Sequence, residues 1–169
     1  MLRDIRTNYD KFELLEKETD PNPVNQFNHW LKEAISGKVM EPTAMVLSTT
    51  DENGDPESRV VLLKEIREEG LIFFTNYESK KGRQILNNPK VSAVFFWPEY
   101  QRQVRIKGIA EKISDTESSD YFKSRPVDSQ LGAWASPQSQ VIENRETLDL
   151  NYKKYREFFQ NNEIKKPPH

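Results

Sequence analysis

The spacing of turn signals constrains this chain most. Three runs suited to strands follow one another: 44–50, about 57–66 and 71–75. The first connection is Asp51-Glu52-Asn53-Gly54-Asp55, where Asn-Gly supplies the positive φ of a tight hairpin. The second is Arg67-Glu68-Glu69-Gly70. A parallel crossover needs a dozen or more residues, so connections this short impose antiparallel neighbours. Two further strands are predicted, at Val91–Trp97 and Arg102–Ile113. Val91–Trp97 is apolar on both faces and is expected to be central. Five strands in a meander with helices at the margins predict a mainly β fold with flanking helices, built on a small antiparallel barrel.

Within the second run, Arg59-Val60-Val61-Leu62-Leu63-Lys64 sets four apolar residues between two cations. The apolar core predicts a buried strand. Arg59 and Lys64 differ in parity, so a regular strand aims them at opposite faces. That geometry suits two separate anions, because an unpaired buried charge is costly. The alternative is a strand whose ends reach solvent, with both cations snorkelling. On the fifth run Gln103, Arg105 and Lys107 share one parity and offer an amide and two cations.

Helix signals frame these strands. Asn22-Pro23 predicts a helix start, with Val24, Phe27, Leu31, Ala34 and Ile35 on one face and Gly37 as the stop. Ser79 is the predicted N-cap of a helix over Lys80–Asn87, which Asn88-Pro89 ends. Lys80, Lys81 and Arg83 stand in its first turns, where cations oppose the helix dipole. A phosphate docked there would remove the conflict, and a solvated basic face is the competing reading. Ser114-Asp115-Thr116-Glu117 matches a capping box for a helix reaching about Ser124. The stretch 129–139 reads as a small-residue, hydroxyl-rich connection with at most one helical turn. Leu148, Tyr152, Tyr155 and Phe159 give a stripe on a last helix over about 143–160. Residues 1–19 read as a charged arm or loose helix, ahead of one domain over 20–169.

Composition narrows the chemistry. The 169 residues carry a net charge of −2, so no global field favours nucleic acid or an anionic membrane. No cysteine occurs, which removes thiolate nucleophiles and cysteine-based zinc sites. His29 and His169 are the two histidines; a histidine triad or histidine-rich metal site is not expected. His29 reads as an ordinary surface residue. No apolar run is long enough to span a bilayer, and the first fifteen residues lack a signal-peptide core. A cytoplasmic protein is expected. Any enzymatic chemistry is expected to come from a bound cofactor.

Specific stretches then resemble a known family, the pyridoxine/pyridoxamine 5′-phosphate oxidases. These are Arg59–Lys64, Phe73-Phe74-Thr75-Asn76 with Ser79-Lys80-Lys81, Asn87-Asn88-Pro89, Arg102-Gln103-Val104, and the run Tyr121–Trp134 with Gln138-Ser139. They follow the family's order and spacing from about residue 20 onward. The resemblance implies an FMN-binding split barrel of Greek-key type, working as a homodimer with FMN at the subunit interface. By position, Arg59, Val60, Val61, Leu62, Leu63 and Lys64 would belong to the cofactor site. Lys80, Lys81, Gln138 and Ser139 would join Arg59 around the FMN phosphate, and Phe74, Thr75 and Gln103 would line the flavin. Lys64, Tyr121, Arg125 and Ser129 would hold the substrate phosphate.

The implied activity is oxidation of pyridoxamine or pyridoxine 5′-phosphate by O2 to pyridoxal 5′-phosphate, with release of H2O2. No side chain is assigned as a catalytic residue, and no metal is implied. Family members continue with a Trp-Gly-Gly-type strand and an Arg-Leu-His segment that this sequence does not contain. A chain ending here is expected to hold FMN less firmly. A non-catalytic protein binding FMN or a B6 phosphate is therefore the alternative.

Overall fold

The computed structural model describes residues 1–169 and resolves into two compact units interleaved along the chain. The first comprises Met1–Ser48, Ser58–Phe73 and Ser92–Gly108; the second comprises Thr49–Glu57, Phe74–Val91 and Ile109–His169. Five strands form one sheet: β1 (Ala44–Thr50), β2 (Pro56–Ile66), β3 (Leu71–Phe73), β4 (Lys90–Trp97) and β5 (Arg102–Ile109). Their order is β3-β2-β1-β4-β5. β1 runs antiparallel to β4, with Val46 opposite Val94, and β2 antiparallel to β3, with Leu63 opposite Phe73. The β1–β2 connection is built by Asp51, whose carboxylate accepts from the amides of Asn53 and Asp55, each at 2.9 Å. Gly54 there takes φ 86°.

In the first unit, helix α1 (Pro23–Ser36) begins where the Asn22 side chain accepts from the Val24 amide at 2.8 Å, with Pro23 at its first position. It buries Phe27, Leu31 and Ala34. The matching sheet face buries Met45, Leu47, Val61, Leu63, Ala93, Phe95 and Trp97. Phe27 meets the rings of Phe95 and Trp97, with centroids 4.9 and 6.1 Å apart. The indole of Trp97 donates to the Pro42 carbonyl at 2.9 Å, so its burial leaves no orphan N–H. Fully burying each large apolar side chain stabilises by about 1.5–3 kcal/mol.

The other face of β2 corrects one expectation. Val60 and Leu62 alternate with buried Val61 and Leu63 and remain 64% and 37% exposed. The run is apolar throughout, yet a strand pleat buries one face only when nothing covers the other. Val46 and Phe96 are likewise 40% and 58% exposed. The strand at β4 is an interior one, between β1 and β5, and β1 holds the middle.

The segment before α1 is short 3-10 turns at Leu2–Asp4 and Glu16–Glu18 with irregular chain between them. It is tied to the turn between β4 and β5: Phe12 stacks on Tyr100 at 5.7 Å. The Lys11 amide donates to Gln101 Oε1 at 3.0 Å, and Gln101 Nε2 donates to the Asn8 carbonyl at 2.9 Å.

The second unit carries four helices: α2 (Lys80–Asn87), α3 (Asp115–Ser124), α4 (Val127–Ala135) and α5 (Arg145–Phe158). Ser79 caps α2, Ser114 and Glu117 form a reciprocal capping box at α3, and Asn144 caps α5. Trp134 of α4 packs on Tyr155 and Phe159, at 5.4 and 5.3 Å. A buried hydrogen bond from Thr49 Oγ1 to Gln84 Oε1, 2.6 Å long, fixes the underside of α2.

Three boundaries differ from expectation. β3 stops at Phe73, not Thr75. β5 ends at Ile109, because β4 begins at Lys90 and the last bond available is from the Ala110 amide to the Pro89 carbonyl. The stretch read as a connection around residue 129 is the nine-residue helix α4. Burial of Leu131 and Ala135 outweighs the cost of about 1 kcal/mol for Gly132 inside a helix.

Candidate functional site

A cavity of about 420 Å³ opens within the second unit, in the size range of small-molecule sites. Its walls come from Phe74–Asn76 after β3, from Ser118, Tyr121 and Phe122 of α3, and from Arg125 beyond that helix. Ser129, Gly132 and Ala133 of α4, then Ser136 and Gln138, continue the lining. Lys166, Pro167 and His169 complete it.

Capping and packing place these groups. α3 starts at its capping box, which puts Ser118, Tyr121 and Phe122 on a common face at helical spacing. Phe74 lies face to face with Tyr121, centroids 3.5 Å apart and planes 5° from parallel. Arg125 ends α3 in extended backbone, with its guanidinium 5.8 Å from the centre of the Phe122 ring. The following Pro126 restricts Arg125 to that conformation. Gln130 of α4 is buried, and its Nε2 donates to the carbonyls of Lys123 (3.2 Å) and Arg125 (2.8 Å). It thereby satisfies two of the carbonyls that a helix end leaves open.

The start of α2 forms a second cluster in the same unit. Lys81 Nζ donates to Gln138 Oε1 at 2.9 Å and reaches Ser79 Oγ at 3.4 Å. Lys80 pairs with the Glu57 carboxylate. Gly82 lets the helix press on the preceding loop: a Cβ there would stand 2.3 Å from the Tyr77 carbonyl oxygen. Ser139, just after Gln138, adopts a left-handed φ of 63°.

Of the residues singled out from sequence, Phe74, Thr75, Tyr121, Arg125, Ser129 and Gln138 line the cavity, and Lys81 joins it through Gln138. Arg59, Val60, Val61, Leu62, Leu63, Lys64 and Gln103 belong to the first unit. There Arg59 donates to the Leu47 carbonyl at 3.3 Å, and Lys64 stands at a register shift between Leu63 and Glu65. A bulge of this kind re-aims a side chain. Gln103 lies on the exposed face of β5.

The sequence reading missed Asn76, Ser118, Ser136 and the tail residues Lys166, Pro167 and His169. The tail is tied at several points. Glu163 pairs with Lys123 at 2.9 Å, Trp134 Nε1 donates to the Lys165 carbonyl at 2.8 Å, and Lys166 pairs with Asp115 at 2.7 Å. A ring nitrogen of His169 lies 3.3 Å from the Ala133 carbonyl. The hydrogen bond and the charge of Lys123 hold the Glu163 carboxyl below its ordinary range, and Glu163 in turn raises Lys123. On α5, a hydrogen bond to Asp128 raises the Tyr152 phenol.

Residues 31–159 match the family model described as pyridoxamine 5′-phosphate oxidase. A pyridoxine/pyridoxamine 5′-phosphate oxidase of Nostoc sp. is 45% identical over 168 residues, covering 99% of this chain and 78% of that protein. Its counterpart in Haemophilus ducreyi is 55% identical over 147 residues, covering 87% of this chain and 70% of that protein. Among solved structures, PhzG from Burkholderia lata, in complex with tetrahydrophenazine-1-carboxylic acid, superposes with a TM-score of 0.85 at 27% identity. The match covers 92% of this chain and 77% of that one. A pyridoxamine 5′-phosphate oxidase-related, FMN binding protein from Nostoc punctiforme shares the fold at 18% identity, with a TM-score of 0.58 over 82% of this chain and 73% of that one. The antiparallel split barrel with flanking helices is thus the fold class of the chain.

Proposed function

This chain belongs to the pyridoxamine 5′-phosphate oxidase family, and we propose that it binds FMN and oxidises pyridoxamine or pyridoxine 5′-phosphate with O2, yielding pyridoxal 5′-phosphate and H2O2. The observation that carries this reading is the cavity, whose lining includes a stacked aromatic pair, Arg125 and Ser129. That lining suits a planar ring bearing a phosphate monoester. The ester carries close to −2 at neutral pH. Arg125 gives it a fork of donors, while Tyr121 and Ser129 add hydroxyl donors. Hydrogen bonds to a charged group contribute about 1.5–3 kcal/mol each and are not additive.

The donor set at the start of α2 fits the FMN phosphate. Lys81 and Gln138 converge there from segments far apart in sequence, and the buried Ser79 hydroxyl, donating to the Asn76 carbonyl, fixes the turn that carries Lys81. The helix start adds backbone N–H groups that favour an anion. Lys80, Lys81, Gln138 and Ser139 would hold the phosphate, with Phe74 and Thr75 beside the flavin. Arg59, Val60–Leu63 and Gln103 are assigned to the same cofactor, and Lys64 to the substrate phosphate. FMN, when bound, supplies the two-electron acceptor that dioxygen regenerates. The protein's part is to orient the substrate carbon, exclude water and neutralise two phosphates.

We further propose a cytoplasmic homodimer. The apolar, exposed face made by Val46, Val60, Leu62 and Phe96 supports it, because such surface is rarely left open to water. No helix is long and apolar enough to cross a membrane.

The test is a visible absorbance spectrum of the chain purified with FMN, followed by anaerobic addition of pyridoxine 5′-phosphate. Bleaching of a bound flavin, then recovery in air with one equivalent of peroxide, is the expected result. A bound flavin that stays yellow would select the non-catalytic alternative. Absence of bound flavin would refute the cofactor assignment for this chain.

A further inference from the structure

We infer that Lys166 is a further cationic ligand of the phosphate ester in the cavity, acting with Arg125; the inference rests on the reading of that cavity as the substrate site. Lys166 lines the cavity, and its charged side chain is only 16% exposed. Such a group needs an anion. Its partner is Asp115, at 2.7 Å, whose own side chain is 84% exposed. Asp115 has alternatives to Lys166: it is solvated, and it stands in the first turn of α3, where the helix dipole favours a carboxylate. An arriving dianion can therefore share Lys166 without stranding Asp115.

Lys166 and Arg125 are the two lysine or arginine side chains in the cavity lining. The tail that carries Lys166 does not depend on the Asp115 pair alone. Pro167 is buried, and the Lys165 carbonyl and His169 ring make contacts of their own. Removing the charge of Lys166 should thus subtract a ligand and leave the tail in place.

Calorimetric titration of the FMN-loaded chain with 4′-deoxypyridoxine 5′-phosphate tests this. That analogue has neither an oxidisable hydroxyl nor an aldehyde that could react with lysine. Lys166→Met and Lys166→Gln are expected to weaken binding about tenfold, the equivalent of one charge-assisted hydrogen bond. Lys166→Arg should stay within about twofold, and Asp115→Asn should bind as well as wild type or better, because it frees the ammonium. Unphosphorylated 4′-deoxypyridoxine should bind all variants alike. Equal losses in Lys166→Met and Asp115→Asn would make the pair a structural clamp and overturn the proposal, as would unchanged binding in both neutral variants. A wild-type chain that does not bind the ester overturns the substrate-site reading itself, whereas wild-type binding that ignores Lys166 overturns this inference alone.

Discussion

Gly82→Ala sets two principles against each other. Gly82 is the third residue of α2, and on helix propensity alone alanine should stabilise by about 1 kcal/mol. The structure predicts the reverse. An added Cβ would stand 2.3 Å from the Tyr77 carbonyl oxygen, 2.6 Å from its carbon and 2.7 Å from the Asn76 carbonyl oxygen. All three are backbone atoms, so no side chain can rotate away. The loop is also cross-bonded: Asn76 Oδ1 accepts from the amides of Glu78 and Ser79, and Ser79 Oγ donates to the Asn76 carbonyl at 2.6 Å. Overpacking costs about 1–3 kcal/mol, and three rigid contacts put this case at the upper end. The net loss is then about 2 kcal/mol, or about 4–8 °C in Tm for a chain of this length. Circular dichroism melting of the flavin-free protein reads the stability. Flavin fluorescence reads retention of FMN, which should fall because α2 must move with Lys80 and Lys81. A variant that melts at or above the wild-type temperature would refute the reasoning, since propensity would then have won.

Three other outcomes follow from the same geometry. Gln130→Leu removes both donors to the end of α3 and should cost about 2 kcal/mol, with weaker binding of phosphate esters because the Arg125 backbone loses its anchor; an unchanged melting temperature would contradict it. Lys64→Ala should weaken substrate binding more than flavin retention, and Arg59→Ala the reverse, on the order of 2 kcal/mol each; equal effects of both variants on both ligands would refute the division. The Lys123–Glu163 tie has a defined pH window. The Glu163 carboxyl lies below its ordinary value of 4.5, so its contribution is present above that value and lost as pH falls through the lowered one. Lys123 lies above 10.5, so its contribution is present below that value and lost as pH rises through the raised one. Amide exchange of residues 163–169 should accordingly be slower in wild type than in Glu163→Gln across the neutral range, with the difference vanishing in strong acid; a difference that persists there would assign the protection to other contacts.

Legibility of the fold tracked how local each signal was. The hairpin at Asp51–Asp55 was readable because Asp51 and Gly54 solve a five-residue problem without outside help. The caps at Asn22, Ser79 and Ser114 were readable for the same reason. α4 was hidden because Gly132 and the serines imitate a connection; its helical state depends on burying Leu131, Gln130 and Ala135, which no local window reports. β5 was overextended because its end is fixed by where β4 begins, not by its own residues.

The site divides along the same line. Phe74, Thr75, Tyr121, Arg125, Ser129 and Gln138 were singled out because the motifs that carry the family resemblance contain them, and all six line the cavity. Lys166 and His169 were passed over because Lys165-Lys166-Pro167-Pro168-His169 carries no periodicity; its meaning comes from partners far away in sequence, Asp115 and Ala133 among them. Hydrophobicity misled in the opposite sense on β2. Val60 and Leu62 look like core residues, yet their face of the sheet is open while Val61 and Leu63 are covered. An apolar run states that a strand wants both faces covered, not that its own chain covers them. If the second cover is another copy of the chain, Val60→Lys and Leu62→Lys should spare the monomer's core, which lies on the opposite face, and abolish association. A charged variant that sediments as wild type does would remove this face from any dimer contact.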